Sequence, residues 1–173
     1  FTRKRTETRG KTKPKSLCIV NREGVWVDLR EEAGRVATKE SSLSTVLAGF
    51  VWERDSWPDA MGWRLAARLG RSSVPEQDLR ELVRDAFLDE PELLETIGRD
   101  LRAVCERDPA CNDYLSPFLY FKGFQALAGY RVANHLWRND RRELAQYLQS
   151  LIAAVYAVDI HPAATIGSGI LLD

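Results

Sequence analysis

Along residues 25–156 apolar side chains recur at three- and four-residue intervals, the spacing that places them on one face of a helix. Val25, Trp26, Leu29, Ala33 and Val36 share the first stripe, with Asp28, Arg30, Glu31, Glu32 and Arg35 mostly outside it. A second segment runs through Leu43, Val46, Leu47 and Phe50. Ser56 then offers an N-cap, Pro58 an early helical position, and Met61, Leu65, Ala66 and Leu69 a buried face that ends at Gly70. In the next start Ser73 is placed to cap and Glu76 to close a capping box, followed by Leu79, Leu82, Val83 and Phe87 on one side. Pro91 opens a helix with Leu94, Ile97, Leu101 and Val104 inward, and Asp108-Pro109 interrupts it. A long element from Pro117 to about Trp137 and another from about Arg141 to Tyr156 complete the set. Six or seven closely spaced helices leave no room for a large sheet and predict a locally connected α-helical domain.

The pattern changes at residue 158. In VDIHPAATIGSGILLD (158–173) Ile160, Ile166 and Leu172 recur every six residues, a period that fits neither a helix nor an alternating strand. It fits one face per turn of a parallel β-helix, with Ala163, Ala164, Gly167 and Gly169 small enough for tight turns. Such rungs bury their apolar face only by stacking, so barely one rung predicts either the first coil of a longer domain or a poorly ordered tail.

Composition narrows the class. A hydrophobic fraction of 45% and a charged fraction of 29% belong to a globular protein. The 25 basic and 25 acidic residues cancel over the chain, but not locally. Arg3, Lys4, Arg5, Arg9, Lys11, Lys13 and Lys15 face only Glu7 over residues 1–16, so residues 1–22 are expected to be a disordered basic tail. Without an aromatic platform the charges fit a solvated tail better than a nucleic-acid or membrane contact. A remnant of an organelle-targeting sequence is the other reading, which would make the location plastid or mitochondrion rather than cytoplasm. Cys18, Cys105 and Cys111 are odd in number and lack metal spacing, so neither a disulfide scaffold nor a zinc site is expected. The longest apolar run, around Leu151 to Val158, is too short to span a bilayer.

The candidate chemistry is sparse. His135 sits near a helix C-terminus, where capping or packing is expected of it. Asp159 and His161 are spaced to share a face of an extended segment, either orienting the imidazole or organising the junction between helix and coil. Asp108 and Asp113 flank a Pro109, Ala110, Cys111 turn, where a carboxylate binds an ammonium or accepts local backbone hydrogen bonds. The aromatic run Tyr114, Phe118, Tyr120, Phe121, Phe124, Tyr130 and Trp137 reads as core or subunit interface rather than a cofactor box, and Gly123 and Gly129 within it suggest close packing against another helix. No Walker loop, dinucleotide fingerprint, nucleophile elbow or HExxH segment is present.

RDPACNDYLSPFLYFKGFQALAGYRVANHLW (107–137), RRELAQYLQS (141–150) and VDIHPAATIGSGILLD (158–173) together resemble the serine O-acetyltransferases. The resemblance is specific over 107–173 and looser back to about Val25. It implies a helical domain over 23–157 leading into the first rung of a truncated left-handed parallel β-helix over 158–173: a mainly α fold. It also implies acetyl transfer from acetyl-CoA, a co-substrate rather than a resident cofactor, to the hydroxyl of L-serine. By that resemblance Asp108 and Asp173 contact the substrate, with Pro109 beside Asp108, and Asp159 supports the catalytic imidazole. The base itself follows the aspartate matched by Asp173, and His161 resembles a structural histidine, so these 173 residues are expected to be inactive alone. Self-association as trimers or paired trimers, and docking onto O-acetylserine sulfhydrylase through a C-terminal tail, are the partners implied, with no metal, nucleic acid or membrane. The alternatives are a non-enzymatic helical oligomerisation or regulatory module, and a related hexapeptide-repeat acyltransferase with another acceptor.

Overall fold

A computed structural model describes residues 22–70 and 74–173, with the backbone alone at Arg22 and Glu23. The expected basic tail over residues 1–21 and the Ser73 cap lie outside the described residues. Eight α-helices are formed among those described: α1 (Arg22–Lys39), α2 (Ser44–Leu47), α3 (Trp57–Leu69), α4 (Glu76–Asp89), α5 (Glu92–Arg107), α6 (Leu115–Tyr120), α7 (Lys122–Arg138) and α8 (Arg142–Tyr156). The apolar stripes face one core. Leu29, Met61, Ile97, Phe118, Phe124 and Leu148 are among its fully buried side chains, each exposed by less than 2%.

Most starts and stops follow local chemistry. Ser56 Oγ accepts the Asp59 amide at 3.4 Å, and Pro58 occupies the first turn of α3. Gly70 ends that helix with φ −58°, so conformational freedom is not what selects glycine there. A Cβ would stand 2.6 Å from Glu76 Cγ and 2.8 Å from the Ala66 carbonyl oxygen. The segment drawn through Leu43 and Phe50 is broken instead into a 3-10 turn (Ser41–Leu43), α2 and a π-helical turn (Ala48–Trp52). Leu47 and Val51 are buried, while Val46 is exposed.

The long helix expected from Pro117 to Trp137 is two helices. Phe121 (φ −81°, ψ 113°) separates α6 from α7. The carbonyl of Phe118 accepts from Arg64 Nε at 3.2 Å and Gln125 Nε2 at 3.1 Å, and Arg64 Nη2 donates to the Leu119 carbonyl. A buried guanidinium from α3 thus satisfies the carbonyls that a continuous helix would use internally. Burial pulls the Arg64 pKa down to about 10. Gly129 packs as expected: a Cβ there would stand 2.9 Å from Ile152 Cδ1 of α8. Gly123 instead admits the Leu172 carbonyl, which a Cβ would overlap.

The structure overturns the β-helix rung. Residues 158–173 contain turns and bends, and no β-strand is present among the described residues. Ile160, Ile166 and Leu172 are half-buried rather than lining a coil interior. A strand needs a neighbouring backbone to satisfy its polar groups. Here those groups are taken by helix side chains: Asn134 Nδ2 donates to the Pro162 carbonyl at 2.7 Å, Tyr130 Oη to that of Ala164, and Arg131 Nη2 to that of Gly167 at 2.7 Å. The fold is α-helical, with an irregular segment laid across α7, and Val158 and Leu171 rest on the helical core.

Candidate functional site

The end of α5 is set by Pro109, whose ring disfavours helical backbone at the preceding residue. Asp108 accordingly leaves the helix as its C-cap, at φ −84°, ψ 111°. Its Oδ1 accepts the Ala110 amide at 2.8 Å and its carbonyl the Cys111 amide at 3.1 Å, a tight turn that fixes the carboxylate. Asp108 is half-buried and Pro109 exposed. The carboxylate adds to the partial negative charge at the C-terminus of α5, so the turn attracts a cation such as an ammonium group.

The turn is braced from both sides. Asp113 Oδ1 accepts the Ser116 amide at 2.6 Å. Glu32 Oε2, from α1, accepts the amides of Tyr114 and Leu115 at 2.8 and 3.0 Å, and so caps α6 from a distance. Glu32 is only 4% exposed, although its sequence position reads as solvent-facing. Cys105 and Cys111 approach to 3.4 Å between sulfurs. Burial pushes both thiols up, which keeps them protonated and weakly nucleophilic.

Asp159 and His161 do not act as a pair. Asp159 Oδ1 accepts from Gln149 Nε2 of α8 at 2.6 Å. His161 Nδ1 accepts the Ala163 amide at 3.1 Å, and its ring meets Trp137 edge-on at 5.0 Å between centroids. Both residues organise the exit from α8, where Ala157 adopts the left-handed conformation at φ 60°. His135 is a packing residue: its Nδ1 lies 2.9 Å from Glu90 Oε2, which Arg138 also contacts at 2.5 Å.

Among the described residues, the most deeply buried ion pair is one to which the sequence assigns no role. Asp100 of α5 is completely buried and Arg131 of α7 only 5% exposed. Arg131 Nε and Nη2 meet Asp100 Oδ2 and Oδ1 at 2.5 and 3.0 Å. The Ile170 amide donates to Asp100 Oδ1 at 2.9 Å, while Arg131 Nη1 reaches the Ile166 carbonyl at 3.3 Å. The available signal was an aspartate inside the apolar stripe, three residues after Ile97 and four before Val104. Asp173 follows this clamp and is exposed. Asp108, Asp159 and Asp173 share no hydrogen bond with one another: the partners are the Ala110 amide for Asp108 and Gln149 of α8 for Asp159. Among the described residues no acidic, Cys or His cluster is arranged to hold a metal ion, and no helix is long and apolar enough to cross a membrane.

A family model described as "Serine acetyltransferase, N-terminal" matches residues 25–129, which include Asp108 and Pro109. The chain belongs to the serine acetyltransferase family. Serine acetyltransferase of Buchnera aphidicola subsp. Acyrthosiphon pisum is 37% identical over 157 residues, covering 91% of this chain and 57% of the relative. Soybean serine acetyltransferase complexed with serine superposes with a TM-score of 0.83 at 43% identity, covering 87% of this chain and 63% of that one. A serine acetyltransferase in complex with CoA gives 0.84 at 36%, covering 86% and 63%. The family resemblance read from residues 107–173 therefore holds. The chain spans a little over half the length of the curated serine acetyltransferases it matches, 57% for the Buchnera protein.

Proposed function

We propose that the protein carrying this chain is a serine O-acetyltransferase, moving the acetyl group of acetyl-CoA onto the L-serine hydroxyl to give O-acetylserine and free CoA. A histidine base takes the hydroxyl proton, the serine oxygen attacks the thioester carbonyl, and the tetrahedral intermediate expels the CoA thiol with that proton. Neither His135 nor His161 takes the base role: the first is buried against Glu90, and the second is held between the Ala163 amide and Trp137. Asp108 receives the substrate ammonium, with Pro109 fixing the turn that presents it, and Asp173 supplies the second substrate carboxylate. Asp159 supports the imidazole. Self-association through the helical part belongs to this reading.

Family membership, together with the likeness to solved relatives holding serine and CoA, carries the reading. The geometry supports it at Asp108, where a fixed carboxylate and a helix C-terminus converge on a cation-attracting surface. In the full-length protein, followed by release of CoA thiol, Asp108→Asn is expected to raise the serine KM about 10- to 100-fold, the worth of one charged hydrogen bond. The acetyl-CoA KM stays within about twofold. An unchanged serine response would remove Asp108 from the site, and a wild-type protein without serine-dependent thiol release would sink the assignment.

A further inference from the structure

We infer that Asp100 and Arg131 form a positioning pair for the serine site, holding Asp173 in register with Asp108; this rests on the serine O-acetyltransferase reading above. Segment 158–173 buries little of itself, and most of its residues are exposed or half-buried. Apolar packing alone therefore leaves its register weakly set. A buried ion pair is a poor device for stability, because desolvation offsets its attraction. This one, however, turns its remaining hydrogen-bonding capacity onto a single stretch: Ile166 and Gly167 through their carbonyls, Ile170 through its amide. The planar guanidinium fork makes these contacts in one fixed geometry. Gly123 adds a second constraint by admitting the Leu172 carbonyl against α7. Residues 166, 167, 170 and 172 are thus fixed immediately before Asp173.

The same helix serves both carboxylates. Asp100 lies on α5, and Asp108 is its C-cap, about 12 Å further along at 1.5 Å per residue. One rigid element therefore refers the two carboxylates to each other, although neither touches the other.

Arg131→Lys in the full-length protein tests this. Lysine keeps the charge opposite Asp100 but cannot span the carboxylate and both carbonyls together. Amide exchange of residues 166–172 is expected to accelerate about tenfold or more while that of α7 is retained. The kcat/KM for serine should fall at least about tenfold, with the acetyl-CoA KM unchanged. A purely structural ion pair would be rescued by lysine. Wild-type exchange at 166–172, or faster exchange with an unaltered kcat/KM for serine, would overturn the positioning role. A wild-type protein with no serine-dependent thiol release would instead bring down the underlying reading, and this inference with it.

Discussion

The α7–α8 pair and segment 158–173 are neighbours held by different physics. The two helices satisfy their backbone groups internally and meet through apolar surface, with Gly129 bringing the backbone of α7 against Ile152. The segment satisfies much of its backbone with borrowed groups: Tyr130, Arg131 and Asn134 from α7, and Asp100 from α5. The helices thus carry the stability, and the segment inherits its shape from them. A stretch that contributes little core can still be placed accurately if buried side chains dictate where its amides and carbonyls lie.

Substitutions on the two sides should therefore behave differently. Phe124→Ala, on the fully buried side of α7, is expected to lower global stability by about 3–5 kcal/mol, read by urea unfolding. A cost below about 1 kcal/mol would mean that α7 does not anchor the core. Tyr130→Phe removes only the hydroxyl that reaches the Ala164 carbonyl, and should cost about 1 kcal/mol. Its signature is local: faster amide exchange within residues 162–167, with a shift of the unfolding midpoint several-fold smaller than that of Phe124→Ala. A global loss as large as that of Phe124→Ala would erase the distinction between the two regions.

The smallest effect is electrostatic. At Glu90 burial alone would raise the pKa, but hydrogen bonds from His135 and Arg138 outweigh it and hold the carboxyl below its ordinary 4.5. A depressed folded pKa stabilises the fold above the unfolded value and loses that contribution as pH falls through the folded one. Stability should decline below about pH 4.5 with a component that Glu90→Gln removes, measured as the pH dependence of the urea midpoint. An identical acid slope in the variant would mean that His135 and Arg138 do not stabilise the Glu90 carboxylate.

Legibility in the sequence followed the range of the interactions involved. Ser56, Pro58 and Gly70 announce the ends of α3, and Asp108-Pro109 the end of α5, because caps and proline act within a few residues. The apolar stripes of α3, α4 and α5 fell where periodicity put them, since a helix face is a local property. The break at Phe121 was not legible: it depends on Arg64, distant in sequence, taking the carbonyls of Phe118 and Leu119. Glu32 was misjudged for the same reason, its partners being the amides of Tyr114 and Leu115. The six-residue period of 158–173 is present, but periodicity records side-chain spacing and not which groups satisfy the backbone.

The amino-acid order alone determined an α-helical chain, the ends of α3 and α5, and a family signature that includes the Asp108 turn. Tertiary structure alone decided the division of α6 from α7, the path of residues 158–173, and the partnership of Asp100 with Arg131. The physical reason is desolvation. A buried charge or carbonyl must find a partner wherever the fold brings one, and that choice is made between elements far apart in sequence.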